Sequence, residues 1–504
     1  MVAGQKRMKK IFNEFLDDQT VKREGNDVPD YMVHTERQNA NFFFGTKERS
    51  IMRSLDLGMS TSNEQIYVGK PQDRDGHILV IGGVGSGKSS CIAMPTLETW
   101  KGTIFAIDIK GELTTHWNKI TKTEKRQAKI FNLTKGQELL SSYDPFYFMR
   151  KNGDENLVQN AREIAHAIIP LPPNIQEPFW IQSAQHVLTA VLLQGYSIKA
   201  SFNTTMTRIL TTPIWELIEE ISNGDCLEAK MHINHFKDID NPADNKMLAG
   251  INAELRNKVM VFVTDMQIKD SFTPTENIVK WEDLESCNVF MCIAEDKLGQ
   301  WDGAISLMLT QLIRTLERRP DKYSEEGEAR SLPPILLLLD EFPRLGKVEV
   351  IQNAISTLRS KGVTICLMMQ SLIQLDRIYG KESRQIIVDN CQYKAILNVT
   401  DPENQKTFSD MVGSINVGNV SISKDDNDEN EHFHFQGNRS REPIIYPHEF
   451  ATLKDIVLIT PEGFCCANKL PYYKKPVGSG FVMPEEVNPV TEVEYIPSRT
   501  QKSV

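Results

Sequence analysis

The sequence lacks any apolar run near the ~20 residues that a membrane-crossing helix needs. One of its most apolar stretches, "PILLLLDEF" (334–342), stops after a few residues at two carboxylates. The basic start, "MVAGQKRMKK", is not followed by the apolar core of a signal peptide. These absences predict a cytoplasmic chain that spans no membrane, with a solvated N-terminal tail. Cys-x-x-Cys pairs are also missing: the eight cysteines are scattered and none has zinc-ligand spacing. They read as small apolar core residues in a reducing compartment. Positive charge is not in excess either. A formal net charge of −10 excludes a surface coated in basic residues for duplex DNA, but not a basic patch inside a channel. No internal repeat is present.

What is present is a long globular chain. At 504 residues it exceeds one ordinary core and implies several domains. Residues 1–60 are polar, with short helical stretches such as "MKKIFNEFLDD". Strands begin at "EQIYVGK", and "HILVIGG" and "GTIFAIDIKGEL" are buried strands separated by a helix. That order predicts a parallel sheet over 61–154. Between 155 and 280 the apolar period becomes helical, as at Ile181, Ala184, Val187, Leu188, Val191 and Leu192. An all-α insertion is expected there. Strands resume over 281–475 with "NVFMCIAED", "PPILLLLDEF", "VTICLMMQS" and "KAILNVTD", giving an α/β fold overall. The acidic stretch "SKDDNDENEHFHFQGNRSREP" (423–443) reads as a solvated hairpin, and His432 and His434 alone are weak ground for a metal site. Residues 476–504 read as an extended tail.

The chemistry is concentrated at "GGVGSGKSS" (82–90). Gly82, Gly83, Val84, Gly85, Ser86, Gly87, Lys88, Ser89 and Ser90 fit the phosphate-binding loop pattern, behind a strand and ahead of a helix. Glycines let backbone N–H groups turn towards phosphate oxygens, at the positive end of the following helix. Lys88 is placed to reach the β- and γ-phosphates of ATP, and the Ser89 hydroxyl to ligate Mg²⁺. Asp340 ends an apolar strand, where a carboxylate can hold the same Mg²⁺ through water. Glu341 follows, placed to activate the water that attacks the γ-phosphate. The pair points to hydrolysis and away from small kinases. Gln370 ends the next apolar strand, where a neutral amide can sense the γ-phosphate. Arg359, assigned here to the crossover helix, either favours that helix's dipole or projects into a neighbouring subunit's ATP site as an arginine finger.

Taken together, these residues resemble the TraG/TraD-type coupling proteins of type IV secretion. The resemblance rests on residues 77–113, which include the strand end Asp108, Lys110, Gly111 and Glu112, on "YDPF" (143–146) and "EPFWIQSAQHVLTAVLL" (177–193), and on 336–404 and 441–463. It implies a RecA-like P-loop motor with an inserted all-α domain, assembled as a homo-hexameric ring. It further implies that the ring delivers single-stranded DNA and its relaxase to a conjugation channel. By the same resemblance Gln370 is the sensor glutamine and Arg359 the trans-acting arginine. Many members begin with two membrane helices, and none is seen here. Recruitment by the channel or by a small membrane-anchoring partner is therefore expected, at the inner face of the cell membrane. Three alternatives stay open on sequence: a coupling ATPase for protein effectors, a chromosome-pumping translocase of the FtsK/HerA type, and a platform in which ATP only fixes the ring.

Overall fold

The computed structural model describes residues 27–474, except 56–57, 72, 121–127, 133–140, 152–153, 173–174, 238, 240, 324–329 and 425–432. Its centre is a nine-stranded sheet. In chain order the strands are β4 (Ile78–Ile81), β5 (Thr103–Asp108), β6 (Ala128–Asn132), β7 (Asn288–Cys292), β8 (Ile335–Leu339), β9 (Val363–Met369), β10 (Tyr393–Ile396), β13 (Ile456–Thr460) and β14 (Gly463–Ala467). Their spatial order is β14-β13-β10-β4-β9-β8-β5-β7-β6. The seven from β10 to β6 are parallel, and β13 and β14 close one edge antiparallel.

Strand patterning explains the layering. In β4, β5, β7, β8 and β9 every residue is buried, as both faces of a parallel sheet require. Alternate residues go to opposite sides. Leu79, Phe105, Ile107, Met291, Leu337 and Ile365 join one core. Ile78, Ile104, Ala106, Phe290, Leu336 and Met368 join the other, with Trp100 and Trp117.

The first core is roofed by helices. Between β6 and β7 the described chain holds α3 (Pro145–Lys151), α4 (Leu157–Ile168), α5 (Phe179–Ser197), α6 (Phe202–Thr211), α7 (Ile214–Asn223), α8 (Leu227–Ile233), α9 (Lys246–Thr264) and α10 (Met266–Ser271). α11 (Asp302–Glu317) follows β7. "YDPF" anchors the entry to these helices. Tyr143 is fully buried, its hydroxyl donates to Gln311 Oε1, and it accepts from Trp281 Nε1 at 3.1 Å. All eight cysteines are free thiols and seven are buried, in keeping with their reading as core residues.

Two corrections come from strands. The segment 1–60 was expected to hold only polar and helical stretches, but β2 (Phe42–Leu55) lies within it. It pairs with β3 (Gly58–Lys70), which pairs with the short β1 (Val33–His34). Phe42, Phe43 and Phe44 are fully buried, and Thr46 bridges to Asn468 beyond β14. The small sheet is thus fastened to the large one. β6 was also missed. The stretch "MKKIFNEFLDD" and the tail 476–504 lie outside the described residues. β11 (Ser414–Lys424) and β12 (Phe433–Pro443) pair as the expected hairpin. His432 and the side chain of His434 lie outside what is described.

Candidate nucleotide site

β4 delivers the chain to the phosphate-loop motif at the carboxyl edge of the sheet, where ligands of open α/β folds sit. Gly82 N–H donates to Met369 O of β9 at 3.2 Å and Gly83 N–H to Asn398 O at 2.7 Å. Both flanking strands thereby fix the loop's start. Gly85 and Gly87 have φ of +71° and +99°, a region open mainly to glycine. A Cβ at Gly82 would stand 2.4 Å from Ser86 Oγ, so the closed curl also needs glycine there. The helix after the loop starts as a π-helical segment, Lys88–Ala93, before α1 (Met94–Thr99). Pro95 explains the widened turn, since it has no N–H for an i→i−4 bond to Cys91 O.

Lys88 is buried. Its ammonium donates to Gly82 O at 2.7 Å and lies 3.8 Å from Glu341 Oε1. Burial pulls its pKa down, opposed by the charges of Glu341 and Asp340. Asp340 and Glu341 follow β8 directly. Glu341 is held in the left-handed region, with φ 48° and ψ 41°. Such a conformation costs a non-glycine residue about 1 kcal/mol or more and is typical of functional sites. Here it turns the Glu341 carboxylate to Lys88 and to Gln370, whose Nε2 donates to Glu341 Oε1 and Oε2 at 3.2 and 3.3 Å. β8 and β9 are parallel neighbours, so Gln370, one residue past β9, arrives beside Glu341. Lys88, Asp340, Glu341 and Gln370 therefore converge on the loop.

The residues present fit a triphosphate and a hard cation. Ser86 Oγ is buried and has no hydrogen-bond partner among the described residues. Burial first, and the Glu341 charge second, push Asp340 up to about 6, with Lys88 opposing. Two carboxylates crowded beside one ammonium leave surplus negative charge. The Ser89 hydroxyl and the Asp340 carboxylate are oxygen donors of the kind Mg²⁺ prefers.

Arg359 is placed differently from expectation. The crossover helix α12 ends at Thr357 (Ile351–Thr357), and Arg359 sits in the following turn, which closes on Gly362 at φ +72°. That turn precedes β9, at the end of the strand opposite Gln370. The seven residues of β9 separate the two by roughly 20 Å. Arg359 Nε is 3.9 Å from Asp75 Oδ2, with half of its side chain exposed at 52%. It does not reach its own phosphate loop. Asp108 instead takes a structural place: its Oδ2 accepts from Thr114 N at 2.8 Å, capping α2 (Glu112–Ile120).

Sequence reasoning missed the segment after β14. Tyr472 N–H donates to Ser90 O at 2.9 Å, bringing two tyrosines to the loop from the other end of the chain. The local signal was the "YY" pair directly after the closing strands.

The chain is similar to several known proteins. VirD4 of Rhizobium rhizogenes is 24% identical over 409 residues, 79% of this chain and 58% of that protein. The conjugal transfer protein TraG of Escherichia coli is 22% identical over 406 residues, 75% of this chain and 63% of that protein. The chain thus spans less than two thirds of the length of these relatives. Among solved structures, the bacterial conjugative coupling protein TrwBdeltaN70 in complex with sulphate superposes with a TM-score of 0.61 at 17% identity, over 80% of this chain and 88% of that one. TrwB in complex with ADP and Mg²⁺ gives 0.59 at 17% identity, with the same coverage. At that identity the likeness speaks to fold, which is the RecA-like P-loop α/β architecture with added helices. A family model described as type IV secretory system conjugative DNA transfer matches residues 38–499, nearly the whole of the fold just described, and the chain belongs to that family.

Proposed function

We propose that this protein is an ATP-hydrolysing coupling protein that takes a DNA–relaxase substrate and drives it into a type IV secretion channel. The observation that carries the proposal is the convergence of Lys88, Glu341 and Gln370 on the phosphate loop, in a chain of this family. Lys88 leaves Gly82 O to bind the β- and γ-phosphates of ATP. Ser89 Oγ, and Asp340 through water, would hold Mg²⁺, which would supply charge neutralisation at those phosphates. Glu341 orients and deprotonates the attacking water. Gln370, already bonded to Glu341, holds that carboxylate in register and reports the γ-phosphate to β9. Arg359 acts on a neighbouring subunit's γ-phosphate, because its own lies at the far end of the sheet.

That role for Arg359 calls for a ring, and we propose a homo-hexamer with single-stranded DNA in its channel. The motor comprises 61–154 and 281–475, around a helical unit, 155–280, that selects the substrate. No helix among the described residues is long and apolar enough to cross a membrane. Placement at the inner membrane face we assign, from the family resemblance, to the secretion channel or a small anchoring partner. TrwB has been solved with a non-hydrolysable ATP analogue and with ADP and Mg²⁺, which supports ATP and Mg²⁺ as the ligands. The test is plasmid transfer by Glu341→Gln. The variant is expected to bind ATP and to abolish transfer. Transfer at the wild-type level would show that ATP only fixes the assembly.

A further inference from the structure

The phosphate loop orders its ligand. Lys88 addresses the β- and γ-phosphates, and the backbone beyond Ser89 takes the α-phosphate. The ribose and base of a bound nucleotide therefore leave the loop at Ser90. The chain that meets Ser90 comes from beyond β14, where Tyr472 N–H is bonded to Ser90 O at 2.9 Å.

This segment is fixed through the Tyr472 side chain. The Tyr472 ring packs edge-on against His116, with centroids 4.6 Å apart. His116 Nε2 is 2.8 Å from Glu98 Oε1, and Glu98 Oε2 is 2.9 Å from Arg37. Tyr472 is thus tied to α1, α2 and the N-terminal segment together. Tyr473 is not packed in the same way. Its ring meets Tyr472 edge-on at 5.3 Å and is otherwise exposed, at 58%. An exposed aromatic face on a pinned backbone, next to the point where a base must emerge, is what base stacking needs.

We propose that Tyr473 is the base-binding residue of this site, stacking on the nucleobase, with Tyr472 as the positioning residue that holds it at Ser90. This rests on the proposal that the loop binds ATP. Stacking is indifferent to base identity, since every base presents a π-face. ATP and GTP are therefore expected to bind within a few-fold of one another, and any ligand without a base gains nothing from Tyr473.

The test is equilibrium binding of ATP, GTP and inorganic tripolyphosphate, each with Mg²⁺, to the full chain and to Tyr473→Ala and Tyr473→Phe. Tyr473→Ala is expected to weaken ATP and GTP on the order of tenfold and to leave tripolyphosphate unchanged. Tyr473→Phe, which keeps the ring, is expected to match the wild type. Equal ATP affinity in Tyr473→Ala and wild type would overturn the inference while leaving the ATP site standing. Parallel weakening of ATP and tripolyphosphate would also overturn it, since the loop itself would then have been disturbed. Failure of the wild type to bind either ligand would instead sink the ATPase proposal beneath it.

Discussion

His77 shows how much one side chain carries at the start of β4. It is buried, and its Nδ1 accepts from Ile365 N at 3.0 Å. The ring is therefore neutral, with the proton on Nε2. Burial pushes its pKa from 6.5 down to about 4. Below pH 6.5 the unfolded chain takes up a proton that the folded chain refuses until about pH 4. Stability from this group is complete above pH 6.5 and is lost as pH falls towards 4. Between pH 6.5 and 5 the loss amounts to about 2 kcal/mol. His77→Asn keeps an acceptor for Ile365 N without the titration. It is expected to lower stability at pH 7 yet to flatten the fall between pH 6.5 and 5, read from unfolding midpoints across that range. An unchanged slope would mean that the folded chain protonates His77 as readily as the unfolded chain does. Nothing local in the sequence marks this histidine, because its burial comes from β9 and the crossover, nearly three hundred residues away.

At the scale of elements, the strands that were legible are those with uniform apolar runs. β4, β5, β7, β8 and β9 are buried on both faces, and sequence alone marks such strands by their continuous Val, Ile and Leu. The site was legible for the same reason: Asp340 and Gln370 are conspicuous as the first polar residues after such runs. β6 was not, since it is a short edge strand, "AKIFN", flanked by polar residues. β2 was hidden by "TKERS" in its middle, and its burial at Phe42–Phe44 comes from the small sheet's docking. Arg359 slipped past the helix end because nothing in its own stretch, "TLRSKG", marks Thr357 as the last residue of α12.

The same scale shows what aligns β8 with β9. Arg319 follows α11 with its side chain only 4% exposed. Its guanidinium donates to Glu285 Oε1 and Oε2 at 2.5 and 2.8 Å, to Lys361 O at 2.5 Å and to Pro333 O at 2.9 Å. One planar fork thus ties the approach to β7 to the starts of β8 and β9. Arg319→Ala strands a carboxylate and two carbonyls, and is expected to cost about 3–5 kcal/mol by denaturant unfolding. Glu285 is more exposed, at 43%, but Glu285→Ala takes the counter-ion from a buried guanidinium and is expected to cost about 2 kcal/mol, less than Arg319→Ala because the two carbonyls still hold their donor. Equal costs would contradict this division.

For the whole molecule, the separation of Arg359 from its own phosphate loop is the decisive geometry. If each site is completed by a neighbour, two inactive variants can repair one another. Arg359→Ala and Glu341→Gln are each expected to lower ATP hydrolysis at least about 100-fold. Mixed subunits place the Arg359 of a Glu341→Gln chain against the intact Glu341 of an Arg359→Ala chain. Activity is expected to return to a fraction of wild type in the mixture, measured as phosphate release after co-assembly. A mixture as inactive as its parts would remove the trans role.

The charge balance bears on the substrate. A chain of net charge −10 has no general affinity for DNA, so any grip must come from a local basic lining and must weaken with salt. Steady-state ATP hydrolysis, with and without single-stranded DNA at low salt, is the most direct measurement. DNA is expected to raise the rate several-fold, to lose that effect as salt rises, and to have no effect on Glu341→Gln. A wild-type rate that is the same with and without single-stranded DNA at low salt would contradict a DNA-driven motor.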